Sequence, residues 1–320
     1  MQNSPLHPSV QGTLRLLAEG RVGPPQVSGD GKTVVWDQLV DGNMEILRWR
    51  DGKVDQLTHN TLADVHPVVS DDGNTVAWTR RDKNGNFDVV ANIEGTERVI
   101  SAGPGNEYSV AISGDGKTIV WDDDHNGDWG GWDIRAWRDG RVETVTDSPG
   151  NQEFPEVNDD GSCIFWRDDT AEDGSNIWMR DRSGTIKPVV TGQAYQGPFA
   201  VTDDGSKVIF TDIGEDAEGL YIQDGLRVRP VADLDKVSES GPAVNADGSV
   251  VAWTNFDFRN GAPADTQIFL KDGEQSVQIT TGADGLNARP SISDDGRTVT
   301  WFWIDNEDTG HCKIYLLERE

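Results

Sequence analysis

The chain has 320 residues, with 28 Lys and Arg against 56 Asp and Glu, a net charge of −28. Such a surface repels phosphate backbones and anionic bilayers, so nucleic acid and membrane insertion are excluded as expected partners. No basic-apolar leader and no 18-residue apolar run is present, so the chain as given reads as soluble, and its two cysteines, Cys163 and Cys312, suit neither a disulfide framework nor a thiolate zinc site.

In chain order, the first segment with strand character is Gly12–Ala18, which aligns position by position with Gly52–Thr58 further on. Pro25–Ser28 is a short extended piece, and Gly29-Asp30-Gly31 is a tight turn in which glycine supplies the positive φ. Thr33–Trp36 is β-branched and ends on an aromatic residue, as a buried strand does. A polar loop, Asp37–Asn43, leads to a third strand, Glu45–Trp49, and Asp51-Gly52 turns the chain into a fourth, Lys53–Thr58. Four strands joined by hairpin turns form one antiparallel meander.

The same phrase then returns at Ser70–Trp78, Ser113–Trp121, Asn158–Trp166, Thr202–Phe210, Asn245–Trp253 and Ser293–Trp301. Its glycines recur 42 to 48 residues apart, a period that marks a repeat architecture. Third strands are expected at 88–91, 133–137, 176–179, 220–223, 267–270 and 313–317. The seventh copy has no fourth strand before the end of the sequence. The expected fold is therefore all-β: a seven-bladed β-propeller, one domain over 1–320, whose last blade is built from 289–317 plus 12–18. Pairing of 12–18 with the last blade closes the ring and removes two exposed sheet edges.

The Pro-x-Val-Ser stem at Pro67–Ser70, the Asp-Asp-Gly turn, the Val-x-Trp strand and the loop Asp82-x-Asn84-Gly85-Asn86-x-Asp88 resemble the TolB-like family of β-propeller repeats, relatives of the WD-repeat propellers. The resemblance covers about 12–317 and implies the fold. TolB itself has six blades and a further domain, so seven blades without that domain depart from it. Because the family includes scaffolds, partner-binding domains and gating domains of peptidases, the resemblance implies no single activity.

In such a meander the loops between second and third strands share a face with the blade-to-blade connections, the usual place for binding. Asp82, Asn84, Asn86 and Asp88 form one oxygen-rich loop there, and Asp124, Asn126, Asp128 and Asp133 another. Oxygen ligands at alternate positions around a glycine can wrap Ca²⁺. The same residues also make ordinary self-capped turns, and both readings stand. Trp129 and Trp132, in the longest acidic loop, either present flat faces to a carbohydrate or cationic peptide or fold back on a neighbouring loop. The tryptophans that end the second strands are expected as wedges between blades.

At the blade-to-blade connections the channel-mouth candidates are His66, Tyr108, Glu153, Tyr195 and Arg289. His66 with a nearby carboxylate would make an acid–base pair, but with five histidines and none clustered, a loop or packing role is the favoured reading. No Gly-x-Ser-x-Gly elbow, His-Glu-x-x-His helix or phosphate-binding glycine loop occurs. The expected function is a non-catalytic propeller that binds a protein or carbohydrate through its acidic loop face, with calcium as the candidate cofactor. The alternative is a carbohydrate lyase or hydrolase working at the mouth of the channel.

Overall fold

Every repeat opens on a turn closed by the same device. Ser28 Oγ donates to Asp30 Oδ1 (2.7 Å) and accepts from the Thr33 amide (3.0 Å), while Asp30 Oδ1 also accepts from the Lys32 amide (2.9 Å). Ser70 with Asp72, Ser113 with Asp115 and Ser293 with Asp295 repeat it, and Asn158 and Asn245 substitute a side-chain amide. The glycine that follows has φ between 66° and 75° in all seven copies, so a side chain there would be strained. The repeated phrase is thus a turn whose polar groups satisfy one another.

A computed structural model describes residues 6–124, 131–171, 174–192, 195–213, 218–233, 241–259, 262–282 and 285–320. These form seven four-stranded antiparallel sheets arranged as a ring, with no helix among the described residues. The seventh sheet takes its outer strand from the start of the chain. Gly12–Gly20 pairs antiparallel with Cys312–Arg319, placing Leu14 opposite Leu317 and Leu16 opposite Tyr315. The expected closure therefore holds, and both cysteines are free thiols.

The hydrophobic core is divided among the interfaces between blades. Trp36 packs on Ile314 and Leu316 of the seventh blade, Trp78 on Val35 and Ile46 of the first, and Trp121 on Ala77 and Val89 of the second. Trp166, Phe210, Trp253 and Trp301 do the same around the rest of the ring. Each aromatic residue is the wedge that joins its blade to the preceding one, all of them 3% exposed or less. A fully buried ring of this size contributes about 3 kcal/mol. Trp78 also donates through Nε1 to Asp64 (2.6 Å), which accepts from Arg80 as well (2.6 Å).

At the turn end of the channel the backbone joins the blades directly. Asp30 N donates to Asp71 O, Asp71 N to Gly114 O, Asp115 N to Asp159 O, and Asp159 N to Asp203 O. Asp203 N then donates to Ala246 O, Ala246 N to Asp294 O, and Asp294 N to Gly29 O, all within 2.9–3.2 Å. The circuit closes on itself and always runs in one rotational sense.

Candidate functional site at the channel mouth

The inner strands carry an irregularity at the opposite end of the channel. In the second, third, fourth and seventh blades the pairing register shifts across Val65/Val68, Tyr108/Ala111, Glu153/Glu156 and Ala288/Ser291, and in the fifth across Gln196/Phe199. Each shift is a β-bulge, which re-aims a side chain at the cost of ladder bonds. In the first four of these the bulged residue stands four positions before the turn Ser or Asn: His66, Ser109, Phe154 and Arg289. All four have left-handed backbone, φ 55°, 42°, 52° and 50°. That conformation is costly for residues with a Cβ and persists only where the surroundings impose it. The same register in the other blades holds Pro24, Pro198 and Gly241.

Buried carboxylates from the neighbouring blade fix these bulges. Asp37 Oδ1 accepts from the His66 amide (3.0 Å) and Asp122 Oδ2 from the Phe154 amide (3.1 Å). Both carboxylates are under 5% exposed. Burial raises Asp37 above its ordinary value, opposed by the His66 amide. Burial also pushes Asp122 up to about 6, against the hydrogen bonds from Phe154 and Ser109.

Two adjoining cavities occupy the mouth. One, about 400 Å³, is lined by His66, Tyr108, Ser109, Phe154, Glu156 and Arg289, among others. The other, about 420 Å³, runs between Phe154 and Arg289 past Pro24, Pro198, Gly241 and Pro290, with Gln26 and Glu156 on its wall. Burial alone pushes Glu156 up to about 8, so this carboxyl is mostly protonated at neutral pH. His66 is held below its ordinary value, chiefly by desolvation; Asp37 opposes that shift and the charge of Arg289 adds to it. The Arg167 guanidinium lies 4.5 Å from the centre of the Phe154 ring and pairs with Glu153 at 2.5 Å.

The sequence candidates His66, Tyr108 and Arg289 thus border one cavity, and Glu153 lies beside it through Arg167. The side chain of Tyr195, and all of Trp129, Asn126 and Asp128, lie outside the described residues. Trp132 is 8% exposed, its ring 5.6 Å from that of Tyr108, which in turn packs on Phe87 at 5.2 Å. It walls a small recess of about 160 Å³ with Tyr108, Asp122 and Phe154. Ser109, Phe154, Glu156 and Arg167 were not anticipated. Counting four residues back from each turn Ser or Asn would have found the first two.

The carboxylates of the oxygen-rich loops are engaged within the protein, Asp82 by its own turn and Asp124 and Asp133 by neighbouring segments. Asp82 Oδ1 accepts from the amides of Asn84 (2.7 Å) and Asn86 (2.9 Å), and Oδ2 from Asn84 Nδ2 (2.9 Å). Asn86 Nδ2 donates to Pro104 O (3.1 Å), tying the loop to the next blade-to-blade connection. Asp88 is raised by burial and by the Asp82 charge. Asp124 accepts from the Asn106 amide (2.5 Å) and side chain (3.2 Å), and Asp133 from Thr146 (3.1 Å). Among the described residues, no three His, Cys, Asp or Glu side chains converge as a metal set. Within residues 82–88 the Asp82 carboxylate is thus engaged with the amides of its own turn.

No protein-family model matches the chain, and no curated protein matches it. Solved structures do match in shape. An oligogalacturonate lyase from Vibrio parahaemolyticus superposes with a TM-score of 0.71 at 14% identity, over 96% of this chain and 98% of its own. An oligogalacturonate lyase in complex with manganese gives 0.70 at 14% identity, over 99% and 97%. A putative TolB from Agrobacterium tumefaciens gives 0.55 at 18% identity, over 72% of this chain and 87% of its own. At these identities the likeness shows the β-propeller fold alone.

Proposed function

We propose that this chain is a non-catalytic β-propeller that holds a ligand or protein partner at the channel mouth, on the face that carries its acidic loops. The observation that carries the reading is the set His66, Ser109, Phe154 and Arg289, four residues in left-handed backbone gathered around one opening. Local strain of this kind clusters at sites of use, and neighbouring carboxylates hold two of the four in place. The structural likeness to a putative TolB supports a protein as the partner.

The alternative, a lyase or hydrolase acting on carbohydrate at the same mouth, draws support from the likeness to the two oligogalacturonate lyases. It is weaker because the hydrogen bond between Asp37 and His66 goes to the backbone amide, which does not orient the imidazole as an acid–base pair requires. Calcium enters only as a stiffener of the 82–88 and 124–133 loops. Their oxygen content supports it, and the commitment of Asp82 to its own turn weighs against it.

The test pairs partner capture with folding. Phe154→Ala together with His66→Ala is expected to abolish retention of a partner that the wild type retains, with unchanged far-UV circular dichroism. Retention by the folded double variant would reject the mouth as the site. Turnover of a glycan by the wild type, lost in His66→Ala alone, would favour the enzyme.

A further inference from the structure

Resting on the channel mouth as the binding site, the chemistry of its walls narrows what enters it. The protein carries two acids for every base, and its arginines are mostly paired: Arg15, Arg48, Arg80, Arg135 and Arg167 all meet carboxylates. Arg289 does not. Among the described residues it makes no ion pair or hydrogen bond, and the one charge interaction it shows is with His66. It is solvent-accessible, and its backbone φ of 50° sets it at the rim of both cavities.

The acids around it offer little competing charge. Glu153 is engaged with Arg167, and Asp37 and Asp122 are buried against backbone amides. Glu156, inside the cavity, is kept mostly protonated by burial. Between Arg289 and Phe154 one side of the cavity is apolar, made by Pro24, Pro198, Gly241 and Pro242, while Gln26, Glu156 and the Glu153-paired Arg167 supply its polar side. Gly241 and Pro198 stand where other blades project longer side chains, so the gap between Phe154 and Arg289 is open.

A cation without an acidic partner at one end of a proline-sided groove, with an aromatic ring at the other, selects a specific shape of ligand. We propose that the mouth binds a carboxylate carried on an apolar body, with the carboxylate on Arg289 and the body along the proline wall toward Phe154. A guanidinium grips a carboxylate bidentately, and the proline side of the cavity gives an apolar body a surface to lie on. The carboxylate has two sources, a free small acid or the C-terminus of a peptide.

The experiment titrates labelled full-length protein with four probes and follows the amide resonances of Ser109, Phe154 and Arg289. The probes are N-acetyl-phenylalanine, its amide, the tripeptide acetyl-Ala-Ala-Phe with a free C-terminus, and galacturonate. Both free acids are expected to shift the mouth resonances, the amide to bind about tenfold more weakly or worse, and Arg289→Ala to remove that difference. Arg289→Lys should restore part of it. If the tripeptide binds more tightly than the single residue, the source is a peptide terminus; the reverse order indicates a small acid. Equal binding of acid and amide at the mouth would overturn the carboxylate assignment and leave the mouth as the binding site. Galacturonate binding more tightly than either apolar acid would overturn the apolar body, and no shift at the mouth from any probe would overturn the inference outright. Capture of a protein partner by the unmodified mouth would still stand in that last case, so the two failures are distinguishable.

Discussion

Asp71 and Asp159, two blades apart, converge at the turn end of the channel in front of Gly114, where a Cβ on that glycine would lie 2.0 Å from a carboxyl oxygen of each. Any side chain at Gly114 would collide with both carboxyls, so the glycine is what lets them meet. Asp203 and Asp294 complete the group. Burial, the charge of Asp294 and the adjoining Asp159 carboxyl raise Asp71 to about 8, and burial with the charges of Asp203 and Asp159 raises Asp294 to about 6. The second Asp of each turn does the opposite, since the turn amides hold Asp72, Asp160 and Asp204 below the ordinary value.

These shifts set a pH dependence. A carboxyl whose folded pKa is raised binds its proton more tightly folded than unfolded, so it favours the folded state at low pH. That contribution is complete below the ordinary value of 3.8 and is lost as pH rises through about 6 and then about 8. Melting temperature is therefore expected to decline from pH 5 to pH 9. Asp71→Asn should flatten the decline and stabilise the protein at pH 9 by ~1–2 kcal/mol, after discounting for solvent screening. A flat wild-type profile would contradict this arrangement of the carboxyls.

Relief of strain gives a second expectation. His66→Gly removes a Cβ from left-handed backbone and forfeits no side-chain hydrogen bond shown for the ring. Denaturant melts should show a gain of about 1 kcal/mol in stability, with partner binding reduced. A loss of stability would mean that the imidazole contributes packing that outweighs the strain.

Asp64 supports a prediction of the opposite kind. It accepts from Trp78 Nε1 and from Arg80, and its side chain is fully buried. Asp64→Ala would remove the acceptor of Trp78 Nε1, Arg80 Nε and Asn60 Nδ2 while Arg80 stays paired with Glu97, and should cost about 3 kcal/mol, measured by chemical denaturation. Asp64→Asn should recover the bond to Trp78 but not the ion pair, and fall between.

Removal of residues 1–20 takes away the outer strand of the seventh blade and the contacts of Leu14 and Ala18. Because each blade covers its neighbour, the loss is expected to lower cooperativity throughout, seen as a broad transition at much lower temperature. Adding residues 6–20 back as a peptide should restore a single sharp one.

For the 82–88 loop, Asp82→Ala should lower the melting temperature by removing two backbone caps, equally with EDTA and without. A calcium-dependent rise in melting temperature that vanishes in the variant would instead show an ion in that loop.

The fold was legible because the turn glycines, the β-branched runs and the strand-end tryptophans all repeat in one register. Even the alignment of Gly12–Ala18 with Gly52–Thr58 located the closing strand. The channel mouth was legible only in part. His66, Tyr108 and Arg289 stood out by residue type, whereas Ser109 and Phe154 did not, because a bulge shifts the alternation that normally tells inward from outward side chains. The pair Asp71 and Asp159 was hidden for another reason. Their turns look alike in sequence, and the first Asp differs from the second only through the small residue facing it from the blade between.

The seven amide-to-carbonyl links at the turn end have a consequence for how the molecule comes apart. Each blade hands its proton donor to the next, so a frayed blade would strand one donor behind it and one acceptor ahead. Hydrogen exchange at Asp71, Asp159, Asp203 and Asp294 should then report global opening and not local breathing, with all four amides exchanging at a common rate. The number of blades is fastened in the main chain, and an eighth blade, or a missing one, would have to be accommodated by every link of the circuit.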